Sequence, residues 1–213
     1  MATSSPWSLA AALAAALTGC APLPAATTPS SPGVLRPASG APIALRDLAA
    51  ERDATVVVFW SAECPCVRRY QERVDALLGA YPADRVRVVG VSSNAGEAFD
   101  GVLAAAKERG VRIPIYRDED GSVARALGAA STPTVAVLDR RGAVRFLGWL
   151  DNEHKPGTAG REPWLDRALT AILAGRTDYA ARVPVYGCPI TRAAFAGPLP
   201  PCCAKNPNAN GTP

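Results

Sequence analysis

Two cysteines one residue apart, Cys64 and Cys66 with Pro65 between them, directly follow the apolar run Thr55-Val56-Val57-Val58-Phe59-Trp60 and directly precede an amphipathic helical pattern. Thiolates form most easily at such a strand-to-helix junction. Backbone N–H groups and the positive end of the helix dipole stabilise an anion there, and cysteine pKa values fall from about 8.5 to roughly 3.5–7.5. The junction is also expected to be partly exposed and electropositive, so the chemistry indicated is that of a redox-active thiol. Pro65 suits the first helical position, where its missing N–H costs nothing.

These thiols need elements to position them, and the pattern around them is α/β. The β-branched strand at 55–60 is followed by a helix from about 65 to 79, with Val67, Tyr70, Val74, Leu77 and Leu78 on one face. A strand at 86–91 precedes a helix near 97–109 that carries Phe99, Val102, Leu103 and Ala106 and is closed by Gly110. A strand at 113–116, a small helix at 121–128 and strands at 134–138 and 143–149 follow, the last two joined by Asp139-Arg140-Arg141-Gly142, a hairpin turn by composition. An amphipathic helix with Trp164, Leu165, Ala168, Leu169 and Ile172 ends near 174, and Ile43 to Ala50 reads as a short strand or a turn of helix. Strands that alternate with helices and then give way to a hairpin predict a mixed sheet covered by helices on both faces.

Composition frames that domain. The chain has 213 residues, 48% of them hydrophobic and 20% charged, enough for one good core with an unlike segment at each end. The net charge is +4, and its arginines are scattered among acids rather than gathered in a stripe, which argues against nucleic acid as a partner. The six cysteines, at 20, 64, 66, 188, 202 and 203, show no zinc-finger spacing, which favours redox use over a structural framework. The Ala/Leu run from Trp7 to Leu17 ends in Leu17-Thr18-Gly19-Cys20, and Met1 to Pro6 contain no Lys or Arg. The expected organisation is a signal over 1–19, a flexible tether over 20–41, the folded domain over 42–178, an extension over 179–195 containing Gly187-Cys188-Pro189-Ile190, and a Pro, Asn and Gly-rich disordered tail over 196–213.

Several motifs resemble known families. Leu17-Thr18-Gly19-Cys20 resembles a bacterial lipoprotein signal, which implies lipidation of Cys20, attachment to the cell-envelope membrane and a domain facing the periplasm or the cell surface. Phe59-Trp60-Ser61-Ala62-Glu63-Cys64-Pro65-Cys66 resembles the active-site entry of thioredoxin-family proteins, and Ser131-Thr132-Pro133-Thr134-Val135 their Thr-cis-Pro strand entry. Gly148-Trp149-Leu150-Asp151 and Val185-Tyr186-Gly187-Cys188-Pro189-Ile190 are similar to the redoxin, or alkyl hydroperoxide reductase/thiol-specific antioxidant-like, branch. That branch pairs a Cys-Pro motif with a distal Gly-Cys-x-Ile.

The resemblance covers about residues 42 to 193 and implies a thioredoxin-like fold and a thiol–disulfide oxidoreductase without a cofactor. Cys64 would be the nucleophile, and protein or small-molecule disulfides and thiols would be the substrates, with an external redox partner. Pro133 would be the cis-proline, leaving the Thr132 backbone to pair with an extended substrate, and Pro65 would help position the site. The family's C-x-x-C spacing puts its second thiol at Val67, one residue beyond Cys66. A Cys64–Cys66 bond would close a small, strained and easily reduced ring. Either that pair forms, or Cys66 is a spectator or metal ligand and Cys188 resolves Cys64. Cys202 and Cys203 are bystanders or a vicinal pair.

Two other activities compete. Peroxide reduction by the family signature P-x-x-x-[ST]-x-x-C has Ser61 in place but Val57 where the proline belongs. Copper-chaperone relatives of the fold hold Cu(I) with two thiolates and a histidine, soft ligands for a soft ion; the one histidine here is His154, in a polar loop. Glu63 is expected to face water, and Arg68 and Arg69 either add positive potential at the thiols or form a solvated face.

Overall fold

A computed structural model of the chain describes residues 33–153 and 160–191. Its centre is β3 (Ala54–Phe59), every residue of which is buried, as befits an apolar strand covered on both faces. β3 pairs in parallel with β4 (Val86–Ser92), and β4 in parallel with β5 (Ile115–Arg117). On its other side β3 runs antiparallel to β7 (Val135–Asp139), which forms the hairpin with β8 (Val144–Gly148). The sheet order is β5-β4-β3-β7-β8, a mixed five-stranded sheet.

Alternating side chains feed two cores. Val56, Val58 and Val88 face α2 (Pro65–Ala80), α3 (Phe99–Glu108) and α5 (Trp164–Leu173), whereas Val57, Phe59, Val89 and Val91 face α1 (Leu45–Ala50) and α4 (Ser122–Leu127). This is the mixed sheet covered on both faces that the pattern predicts, and the thioredoxin-like α/β fold that the resemblance implies. Burial of Val67, Tyr70, Val74 and Leu77 seats α2 on the sheet, each apolar side chain being worth about 1.5–3 kcal/mol. Leu78, expected on the same face, lies at the margin of that stripe and is exposed.

Other differences bear on the edges. The Ile43–Ala50 segment is both strand and helix, β2 (Ile43–Ala44) running straight into α1. Residues assigned by composition to the tether form β1 (Val34–Leu35), antiparallel to β2, because Leu35 is fully buried in the second core. Arg36 also bridges to Arg117 on β5. Two more short strands, β6 (Ser131–Thr132) and β9 (Cys188–Pro189), pair antiparallel with each other outside the main sheet. Among the described residues no helix is long and apolar enough to cross a membrane.

Candidate thiol site

At the end of β3 the chain turns from sheet to helix. Trp60 N–H donates to Val91 O at 2.8 Å, and its indole Nε1 donates to Gln71 Oε1 at 2.8 Å, tying the turn to α2. Ser61 Oγ and Glu63 N–H both donate to Glu97 Oε1, at 2.6 and 3.0 Å. Arg109 Nη2 donates to Ala62 O at 2.5 Å, with its guanidinium 5.5 Å from the Trp60 ring centre. Desolvation, reinforced by Arg68, lowers the Arg109 pKa from its ordinary value. Glu97 and Arg109 thus clamp the three residues before Cys64, one from each end of α3. Sequence reading missed both: each falls at an end of the helix expected near 97–109, outside any motif, and nothing local marks it as facing the thiols.

Cys64 is the N-cap of α2, with extended backbone (φ −79°, ψ 113°), and Pro65 opens the helix. Cys64 Sγ lies 3.2 Å from Thr132 O. The Thr132–Pro133 peptide bond is cis, as the resemblance implied. Across β6, Thr132 is the register partner of Cys188, and Thr132 Oγ1 donates to Cys188 O at 3.4 Å. Two thiols from a helix start and one from a distant strand therefore meet, with the three Sγ atoms within 4.8 Å of one another. None of the three is in a disulfide. Such a triangle can take two sulfurs to a disulfide or hold a soft, thiophilic ion.

The cluster sets the charge on Cys64. Hydrogen bonding from Cys188, and next from Cys66, stabilises its thiolate; desolvation opposes this, and Thr132 and the Val67 amide add smaller stabilisation. The net effect holds the Cys64 pKa far below its ordinary value.

The expected partial exposure of Cys64 is not found. Cys64 and Cys66 are each 1% exposed, in a core cluster against which Val183 and Cys188 of the later segment pack. Cys188, carried by that segment, is half-buried. Glu63 and Arg68 are exposed and Arg69 is half-buried. Cys20, His154, Cys202, Cys203 and the tail over 196–213 lie outside the described residues.

Known proteins are similar to this chain. A hypothetical protein, SMc02350, of Sinorhizobium meliloti 1021 superposes with a TM-score of 0.67 at 31% identity, over 79% of this chain and 94% of that one. An uncharacterized conserved protein of Geobacillus kaustophilus gives 0.67 at 28% identity, over 78% and 92% of the two chains. The thiol-disulfide oxidoreductase ResA of Halalkalibacterium halodurans is 28% identical over 111 residues, which span 52% of this chain and 61% of that protein. Residues 23–147 match the AhpC/TSA family, a stretch that holds Cys64, Cys66, Thr132 and Pro133 and ends before Cys188. With more than half of its length in that match, the chain belongs to the AhpC/TSA family.

Proposed function

We propose that the protein is a thiol–disulfide oxidoreductase with Cys64 as nucleophile and Cys188 as resolving thiol. The observation that carries this reading is the meeting, within 4.8 Å, of the helix-capping Cys64 with Cys188, a thiol delivered by a separate strand. The Cys64 thiolate attacks one sulfur of a disulfide, forming a mixed disulfide; the other sulfur leaves with the electron pair and takes a proton from water. Deprotonated Cys188 then attacks Cys64 Sγ and releases the second substrate thiol. Two protein thiols have become a Cys64–Cys188 disulfide, and the substrate disulfide has become two thiols. An external dithiol reverses the exchange and resets the pair. Cys66 sits in helical backbone two residues from Cys64, where ring closure is strained, so its part is to stabilise the thiolate. Thr132, Pro133 and Pro65 position the reacting sulfur.

Treatment with one equivalent of oxidant, followed by mass mapping, tests this. A Cys64–Cys188 linked peptide is expected, and Cys64→Ser should lose all disulfide reduction. A Cys64–Cys66 product would reassign the resolving thiol.

Peroxide reduction is the poorer reading. Val57 replaces the signature proline, and the Ser61 hydroxyl is spent on Glu97. A second reading, Cu(I) binding, is favoured by the three-thiol triangle; Cu(I) retained undiminished by Cys66→Ser and Cys188→Ser would remove it. The Leu17-Thr18-Gly19-Cys20 motif supports a lipid-anchored protein of the bacterial envelope, in an oxidising compartment suited to disulfide exchange. Cys20→Ser should move the protein from the membrane fraction to the soluble one, and unchanged fractionation would count against the anchor.

A further inference from the structure

The segment that brings Cys188 to the site does more than deliver a thiol. It first follows the edge of the sheet, where Leu147 N–H donates to Ala181 O at 2.9 Å and Val183 N–H to Leu147 O at 3.1 Å. Tyr186 then stacks edge-on against Trp149, their ring centres 5.1 Å apart. Beyond the thiol, Ile190 N–H donates to Ala130 O at 2.9 Å, Thr191 N–H to Asn94 Oδ1 at 3.0 Å, and Ala95 N–H to Thr191 O at 3.0 Å. Between these anchors, Gly187 lies directly on the Thr132–Pro133 peptide. A Cβ at Gly187 would stand 2.0 Å from Thr132 O and 2.7 Å from Thr132 C, contact with rigid backbone that no side-chain movement relieves.

Residues 187–190 therefore fill the backbone edge that runs alongside Cys64. An extended polypeptide carrying a disulfide to Cys64 would add itself to that edge as a strand. It cannot do so while β9 is paired there.

We infer that β9 is a built-in occupant of the polypeptide-pairing edge at Thr132, so that the docked segment selects low-molecular-weight disulfides over disulfides carried on extended polypeptides, with Gly187 as the residue that lets it seat. A small disulfide has no backbone to pair and reaches the buried Cys64 through a local opening beside the half-buried Cys188 that leaves β9 paired. A polypeptide must first break the pairing of residues 130–132 with 188–190. The inference deepens the proposed thiol–disulfide exchange and rests on it for its kinetic test.

Two probes share one leaving group: bis(2-hydroxyethyl) disulfide, and an extended peptide whose central cysteine forms a mixed disulfide with 2-mercaptoethanol. With either, Cys64 displaces 2-mercaptoethanol, which leaves as its thiolate and is protonated by water. Cys188 then closes the intramolecular disulfide and expels the remaining thiol. The reduced wild-type chain should react with the small disulfide at least about tenfold faster than with the peptide. Gly187→Ala should cut that ratio by about tenfold through a faster peptide reaction, and Asn94→Ala, which removes an anchor without touching Gly187 or a thiol, should shift it the same way. Equal rates in the wild type, or a ratio unmoved in both variants, would overturn the inference.

A second measurement needs no thiol chemistry. The same peptide with serine for cysteine should bind the two variants more tightly than wild type, and binding should expose the Ile190 and Thr191 amides to hydrogen exchange. Binding to wild type with both amides still protected, or to no form at all, would overturn the inference. If neither disulfide reacts, the oxidoreductase reading fails, and the binding measurement still decides who owns the edge.

Discussion

The charge on one sulfur controls the chemistry, and it leaves a signature in stability. Cys64 ionises far more readily in the folded chain than an unfolded thiol, whose pKa is about 8.5. Between those two values the folded chain holds fewer protons than the unfolded one, so stability rises with pH. The contribution is complete above the unfolded pKa and is lost as pH falls towards the folded one. Between about pH 6 and about pH 8 the reduced protein should gain on Cys64→Ser by up to about 1.4 kcal/mol per pH unit. Urea unfolding of both proteins under reducing conditions measures this, and a difference that stays flat with pH would refute the ionised thiol. The ionisation of Cys64 was legible in the sequence for an incomplete reason. A strand running into Pro65 announces a helix start, hence the amide contribution, but the leading cause is Cys188, 124 positions along the chain, which the family resemblance and not the pattern around Cys64 brings to the site.

Elements hold that sulfur in place through buried polar contacts. The turn after β8 carries Asp151, fully buried, and Glu153, nearly so, and both meet Arg73 on α2. Arg73 Nη2 also donates to Glu153 O at 3.2 Å, and Arg161 adds a 3.0 Å contact to Asp151 from a half-exposed position. Removing one partner of a buried ion pair costs about 3–5 kcal/mol, because the other charge stays buried. With Arg161 left to compensate in part, Arg73→Ala should lose about 3 kcal/mol in chemical unfolding; a loss below about 1 kcal/mol would show the network to be solvated. Element types and order were readable from the pattern, since α2 and α5 each bury one helical face while β3 and β4 are apolar runs buried almost throughout. What periodicity does not contain is pairing by two or three residues. β1, β6 and β9 are too short to show a period, and each exists because its partner strand is near in space.

For the whole molecule, the fold gathers residues 64, 66, 132 and 188 at one place, and the segment that carries Cys188 lies across it. The five-stranded sheet draws no strand from beyond β8, so a chain ending at Asp178 should keep the sheet and its helices and give far-UV circular dichroism close to that of the full protein. Its Cys64 should differ sharply. Two effects oppose each other. Loss of Cys188 takes away the leading stabilisation of the thiolate, whereas removal of the cover lifts the desolvation penalty and opens a sulfur that is 1% exposed. Cys66 and the helix amides remain, which keeps the thiol below its ordinary pKa. Access therefore wins: in the full-length protein a small reagent reaches Cys64 only through a local opening beside Cys188, whereas the shortened chain leaves it open at all times, and ionisation does not make up that difference. Iodoacetamide should alkylate Cys64 at least about tenfold faster in the shortened chain than in the reduced full-length protein, a margin set by opening rather than by the thiolate fraction. Equal rates in the two would mean that the cover is already open most of the time, and that the burial of Cys64 restrains nothing.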